Sequence, residues 1–163
     1  MNDLLAKISS YNIFNYLFPG AVFGVLAERV GTLDFGTRDI LTRLILYYFI
    51  GLCISRVGSV VIEPFLKKLK FVRYAPYSRY LRACDKDAEM SVMLEVNNTY
   101  RTLTAAFVLL PLSMAIEAGA NSLNLSIIEK YVAMSLALLV LFGFAYRKQT
   151  SFVRQRVEHY AAH

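Results

Sequence analysis

The sequence predicts an all-α membrane protein with four spans and a cytosolic helical hairpin that extends spans two and three. Of the 163 residues, 56% are hydrophobic and 18% are charged, and the mean hydropathy is +0.44. Soluble domains average about 45–50% apolar and about 25% charged residues. The apolar residues gather in four long segments, and stretches such as 107–112 and 133–144 show no polar face at the helical period. We therefore expect a single membrane domain over residues 1–163.

The first predicted span covers residues 11–28 and is interrupted by polar residues and by the pair Pro19-Gly20. Its leader, residues 1–10, carries no net charge, and no small-x-small cleavage site follows the apolar run. A secretory signal peptide requires a basic leader and such a site. We therefore expect a retained span with a kink near Pro19.

The other three predicted spans cover residues 43–62, 102–119 and 128–146. The second contains Arg56, and the third contains Pro111 and Glu117. About 20 helical residues cross a hydrocarbon core of about 30 Å. Spans this short must recruit flanking polar residues or meet a locally thinned bilayer.

Lysine and arginine are concentrated between spans two and three and in the tail, whereas the other loops hold only Arg29, Arg38, Arg43 and Lys130. Loops rich in these residues stay in the cytoplasm. Both termini are therefore predicted to be cytoplasmic. Because this topology accounts for the net charge of +6, we do not expect direct nucleic-acid binding.

The central segment 64–100 is predicted to form the cytosolic hairpin, packed around Tyr74, Tyr77 and Met93. Its aromatic and cationic residues form a predicted surface for lipid headgroups or a partner: Lys67, Lys68, Lys70, Arg73, Tyr74, Tyr77, Arg79, Tyr80 and Arg82. Tyrosine and arginine beside a span are also typical of a membrane interface, so both interpretations stay open.

Inserting a charged side chain at membrane depth costs about 2.5–3.5 kcal/mol. Polar and charged residues inside the predicted spans are therefore candidates for function. Arg56 and Glu63 lie seven residues apart and so near one helical face. Arg56 either lines a pore or binds an anion, pairs with Glu63, or extends to the cytoplasmic interface. A second group is expected at that cytoplasmic level and to form interhelical hydrogen bonds: Asn12, Asn15, Asn97, Asn98 and Arg101.

Small residues recur at four-residue spacings in the first two spans. Such spacings let helices approach closely, which favours helix packing in general, and in the effector hypothesis given below these faces also form a homo-oligomer. The residues concerned are Gly20 and Gly24 in span one, and Gly51, Ser55 and Ser59 in span two.

The sequence holds no phosphate-binding glycine loop, metal-ligand cluster or nucleophile elbow. Both histidines, His159 and His163, lie in the tail, and Cys53 and Cys84 are predicted in different environments. We therefore predict no catalytic residues, no metal and no cofactor, and a protein that is not an enzyme. A small transporter, or an enzyme that acts on lipids through Glu95, is the least favoured of three hypotheses. The other two rest on the resemblance described in the next paragraph.

Three short motifs carry a resemblance: YNIFNYLFPG at residues 11–20, SRVGS at 55–59 followed by Glu63-Pro64, and NNTYR at 97–101. Together they resemble small multi-pass membrane proteins of bacterial antiphage defence systems, among them retron-type and related transmembrane effectors. The resemblance implies a bacterial inner-membrane effector that perturbs or permeabilises the membrane when a cytosolic partner triggers it. Our first hypothesis is that such an effector oligomerises among membrane lipids. The alternative is a non-lytic membrane sensor or anchor that recruits a soluble defence partner.

Overall fold

The computed structural model describes residues 13–36, 39–84, 86–87 and 89–161. Over these ranges the chain is helical, with turns between the helices and no strand, which confirms the all-α class. Three helices are long and apolar enough to cross a membrane: Ile40–Lys68, Glu89–Ser122 and Ile128–Phe152. They contain predicted spans two, three and four. Predicted span one begins outside the described residues, and its helix is not among the three, so a fourth span stays a prediction.

The first described helix changes type just before its proline. A π-helical turn, Ile13–Leu17, leads into α1, Phe18–Arg29. Pro19 has no N–H to offer the carbonyl of Asn15 four residues earlier, and its ring crowds that carbonyl. The backbone responds with the wider π turn. The change in helix type therefore falls where the kink was predicted.

The second helix repeats this arrangement. The helix α2, Ile40–Val57, is followed without a break by a π turn, Gly58–Ile62, and by α3, Glu63–Lys68. Pro64 stands two residues after this π turn, as Pro19 does after the first. The π turn rotates α3 relative to α2, because each of its turns holds more residues than an α turn.

Two long helices and one short helix complete the described chain. They are α4, Tyr77–Cys84, α5, Glu89–Ser122, and α6, Ile127–Ala161. Residues 89–101 of α5 extend predicted span three as expected, but the predicted core of the hairpin is wrong. Met93 is 59% exposed and Tyr74 is 44% exposed, while Tyr77 packs on Phe152 of α6, with ring centroids 5.3 Å apart. The long α6 supplies the apolar partner that the hairpin alone lacks.

The apolar core lies where α1, α2 and α5 meet. Its buried residues are Phe23, Ala27, Ile54, Ala105 and Ala106. Three of the five are alanines, which lets the helices pack at short range. The helix α6 lies outside this core and contacts α2, the second π turn and α4.

Ion pairs tie the helices together at both ends of the bundle. At one end Glu28 of α1 pairs with Arg43 of α2, and Lys130 of α6 lies 3.2 Å from Glu117 of α5. The opposite end carries a larger charged cluster around Glu63.

Candidate functional site

Glu63 is the centre of the charged cluster and is only 6% exposed. Its Oε1 accepts a hydrogen bond of 2.7 Å from Lys67, one turn further along α3. Its Oε2 lies 2.8 Å from Nη1 of Arg101 on α5 and 3.4 Å from Nζ of Lys148 on α6. One carboxylate therefore joins α3, α5 and α6.

Lys148 contacts the second π turn as well. Its Nζ donates to the carbonyl oxygen of Ser59 at 2.6 Å and to the Ser59 hydroxyl at 2.9 Å. The first of these acceptors is a backbone oxygen of the π turn, a helix type that is frequent at functional sites. Ser59 and Glu63 together thus hold the amine of a residue 89 positions away from Ser59.

The cluster has more cations than carboxylates. Three cations, Lys67, Arg101 and Lys148, share one carboxylate, which leaves an excess of two positive charges. Nε of Arg101 is buried and has no hydrogen-bond partner within the described part of the chain. Because a buried donor without an acceptor is costly, this end of the bundle is suited to an anion.

Aromatic rings border the cluster on its outer side. Nζ of Lys67 lies 4.0 Å from the ring centroid of Tyr74, a cation–π contact, and Asn97 donates to the Tyr74 hydroxyl at 3.4 Å. Tyr77 stacks with Tyr80 at 6.1 Å. The predicted headgroup surface thus begins at the cluster itself.

The remaining cations of that predicted surface point into solvent. All are exposed side chains on α3, on α4 or in the turn between them: Lys68, Lys70, Arg73, Arg79 and Arg82. Lys70 ends the turn after α3 with a positive φ of 59°. These exposed cations follow Lys67 along the chain, and together we call them the basic face.

Arg56 pairs with Tyr16 and not with Glu63. Its Nη2 donates to the Tyr16 hydroxyl at 2.9 Å, which joins α2 to the first π turn. The predicted shared face of Arg56 and Glu63 assumes an unbroken α-helix, whereas the π turn between them rotates Glu63 away. Of the alternatives for Arg56, pairing with Glu63 is therefore wrong.

The predicted hydrogen bonds among the asparagines and Arg101 are not found among the described residues, and Asn12 lies outside them. Asn15 is 1% exposed, and neither its amide nitrogen nor its oxygen has a partner in the described ranges. Asn97 bonds to Tyr74 as given above, and the carbonyl of Asn98 accepts a 2.8 Å bond from the buried Thr102 hydroxyl. The described asparagines and Arg101 therefore do not form the predicted network of interhelical hydrogen bonds.

Of the small residues in the first two predicted spans, the three glycines lie at the crossing of α1 and α2. A Cβ on Gly20 would come within 1.8 Å of the Tyr47 carbonyl oxygen, and a Cβ on Gly51 would come within 1.8 Å of the Tyr16 carbonyl oxygen. A Cβ on Gly24 would lie 2.6 Å from the Tyr47 ring. Ser55 is buried on α2, and Ser59 binds Lys148.

Lys148 is the member of the cluster that sequence reasoning missed. In the sequence it is one of the tail cations that predict orientation, whereas in the structure it follows predicted span four and contacts Glu63 and Ser59. Its position just after the apolar run was the available signal. Within the ranges that the structure covers, no three His, Cys, Asp or Glu side chains are placed to hold a metal ion.

These features define an all-helical chain with three helices that are long and apolar enough to cross a membrane, joined at one end by a buried carboxylate and its three cations. No protein-family model, curated protein or solved structure matches the chain.

Proposed function

We propose that the protein is a bacterial inner-membrane effector of antiphage defence that assembles into homo-oligomers and permeabilises the membrane when a cytosolic partner triggers it. In this proposal both termini and the Glu63 cluster face the cytoplasm. The resemblance of three short motifs to such effectors gives the biological context. The arrangement of the helices supports the physical part.

The observation that carries the proposal is that two of the long apolar helices are hardly buried by the rest of the chain. In the 18-residue apolar stretch of each helix, only 11% is buried for Glu89–Ser122 and only 6% for Ile128–Phe152, against 28% for Ile40–Lys68. Two long apolar surfaces are therefore available to lipid and to further copies of the chain. A helix that packs so little within its own chain can change partners at small cost.

The charged cluster supplies the point at which a partner could act. The helix α6 pairs with Glu117 of α5 through Lys130 at one end of the bundle, and it contacts α2, α4 and the second π turn. At the end that holds the Glu63 cluster, it is attached to the second π turn. Lys148 forms the polar part of that attachment through Glu63 and Ser59. An acidic partner that binds the basic face beside Lys67 would compete with Glu63 for these cations and so release α6.

Membrane potential is the measurement that tests this proposal. Cells that carry the gene in its native locus, loaded with a voltage-sensitive dye, should depolarise and lose viability after phage infection. Unchanged potential and viability would reject the effector function.

A variant of Gly143 tests the assembly step separately. A Cβ at Gly143 meets no atom within 4 Å, so the single chain accommodates a larger side chain there. Gly143→Leu should insert normally but prevent oligomers and depolarisation if this side of α6 packs between copies. Ala137→Leu, which enlarges another exposed position of α6, is the matched control. Depolarisation by both variants would exclude this face from assembly.

The exposed basic face favours one second candidate, a non-lytic sensor or anchor that recruits a soluble partner. Arg73, Arg79 and Arg82 are all exposed, with Tyr74 beside them. Under this hypothesis a cytosolic protein co-purifies with the chain, and charge reversal of the three arginines abolishes the interaction. Membrane potential then stays constant throughout infection, which distinguishes the anchor from the effector.

A further inference from the structure

A groove of about 320 Å³ opens beside the charged cluster, between the second π turn and α6. Ser59 and Pro64 line one wall, and Phe144, Arg147 and Lys148 line the other. The groove therefore combines hydroxyl and cationic groups with apolar surface. It lies at the end of two helices that are long enough to cross a membrane, which is the level of lipid headgroups.

The charge around the groove favours an anion. Lys148 belongs to the cluster in which three cations share the carboxylate of Glu63. Arg147, next to it, is exposed and has no carboxylate partner among the residues that the structure describes. A guanidinium group suits a phosphate because it donates two parallel hydrogen bonds to the phosphate oxygens.

The apolar part of the groove favours a lipid as the source of that phosphate. Phe144 is 53% exposed and stands one turn before Lys148 on α6, toward the centre of the predicted span. The helix continues in that direction with exposed apolar residues such as Val140 and Leu139. A phospholipid whose phosphate group is held by Arg147 would thus place its acyl chains along an apolar helix face. A soluble phosphate would leave that apolar surface without a ligand.

We propose that this groove binds the phosphate group of an anionic phospholipid, with Arg147 as its main contact. Basic pockets between membrane helices on the cytoplasmic side are a known arrangement for such headgroups. This assignment does not depend on the proposed effector function, because it concerns only the resting chain in its membrane.

The absence of tryptophan from the sequence allows a direct test. Phe144→Trp places a single fluorophore in the groove, and brominated lipids quench a fluorophore that they contact. In vesicles of mixed phosphatidylglycerol and phosphatidylcholine, brominated phosphatidylglycerol should be preferred about fivefold, the size expected for one basic residue at an anionic surface. Phe107→Trp, the same change at an exposed position of α5 outside the groove, should show no preference.

Matched arginine variants then test whether the preference for phosphatidylglycerol depends on Arg147. Arg147→Gln in the Phe144→Trp protein should remove it, and Arg147→Lys should retain most of it. Arg154→Gln makes the same charge change on the same helix, at an exposed residue outside the groove, and should leave the preference intact. Equal quenching by both lipids, or equal loss in the Arg147→Gln and Arg154→Gln variants, would overturn the assignment.

Free phosphate is the competing source of the same chemistry. Millimolar inorganic phosphate should not displace the brominated phosphatidylglycerol from the groove at constant ionic strength. Displacement by phosphate but not by chloride would show a soluble-phosphate site and overturn the lipid assignment. Circular dichroism of each variant in detergent confirms that the helices are intact.

Discussion

Gly20 and Gly51 face each other where α1 crosses α2, and a Cβ on Gly20 would lie 2.7 Å from the backbone nitrogen of Gly51. The backbones of the two helices are therefore in direct contact. Small residues permit this approach, which maximises van der Waals contact between helices in a lipid environment. The crossing positions the first π turn against α2, and with it the Tyr16 hydroxyl that binds Arg56.

A methyl group at this crossing should separate the helices. In Gly51→Ala the new Cβ would meet the Tyr16 carbonyl oxygen at 1.8 Å, and a backbone atom cannot move aside without moving its helix. We expect a loss of at least about 1–3 kcal/mol in unfolding free energy, measured by denaturant titration in mixed micelles. Gly119→Ala is the control, because its Cβ meets nothing within 4 Å and alanine is the better helix former. Equal stabilities of the two variants would contradict the close crossing.

Removal of the shared carboxylate should destabilise the bundle more than loss of any exposed ion pair. Glu63→Gln keeps the shape of the side chain but leaves Arg101 and Lys148 without their anion. The expected cost is about 3–5 kcal/mol of unfolding free energy, as for other buried ion pairs that lose one partner. Glu117→Gln, which breaks a pair at the opposite end with Glu117 42% exposed, should cost about 0–1 kcal/mol.

A second substitution separates charge imbalance from lost packing. If unneutralised cations cause the instability, Glu63→Gln with Lys148→Met should be more stable than Glu63→Gln alone. An additive effect of the two substitutions would show that Glu63 and Lys148 do not interact, contrary to their 3.4 Å separation.

The helices were predictable from apolar segments, because length and the lack of a polar face are local properties of the sequence. The predicted span 43–62 lies inside the helix Ile40–Lys68, and predicted span 102–119 lies inside Glu89–Ser122. Partners of single charges were not predictable in the same way. A heptad spacing placed Arg56 beside Glu63, but the π turn before Pro64 rotates the two apart. Lys67 is a local partner of Glu63, but Arg101 and Lys148 come from helices distant in the sequence, and only packing brings them to the same carboxylate.

The contribution of Arg56 to stability should depend on the hydroxyl group of Tyr16. Tyr16→Phe removes the acceptor 2.9 Å from Nη2 of Arg56 and leaves the ring in place. Interhelical hydrogen bonds in membrane proteins contribute about 0.6 kcal/mol on average and at most about 1.7 kcal/mol, so a loss in this range is expected. Tyr48→Phe removes a hydroxyl from the ring packed edge-on against Tyr16 and serves as the control. An effect of Tyr48→Phe as large as that of Tyr16→Phe would show that ring packing, not the hydrogen bond, matters.

The start of α2 should respond to acid through Asp39. Its Oδ2 accepts hydrogen bonds from the backbone N–H of Thr42 at 2.7 Å and from the Thr42 hydroxyl at 2.6 Å. The side-chain bond from Thr42, followed by the backbone bond, lowers the pKa of Asp39 below its usual value. A carboxyl whose folded pKa is lowered stabilises the fold fully above its unfolded pKa, about 3.9, and this contribution is lost as pH falls through the lowered folded pKa.

Two variants of Asp39 isolate that contribution. Asp39→Ala removes the cap and should lower the thermal unfolding temperature at pH 7, with the difference from the native chain shrinking as the pH falls below about 3.9. Asp39→Asn keeps a good N-cap without a titrating group, so its stability relative to Asp39→Ala should not change with pH. A difference between the native chain and Asp39→Ala that is constant from pH 7 to pH 2.5 would show that the charge of Asp39 contributes nothing to α2. The same comparison by hydrogen exchange should locate the loss to the first turn of α2, because each cap satisfies the N–H groups of its own helix end only.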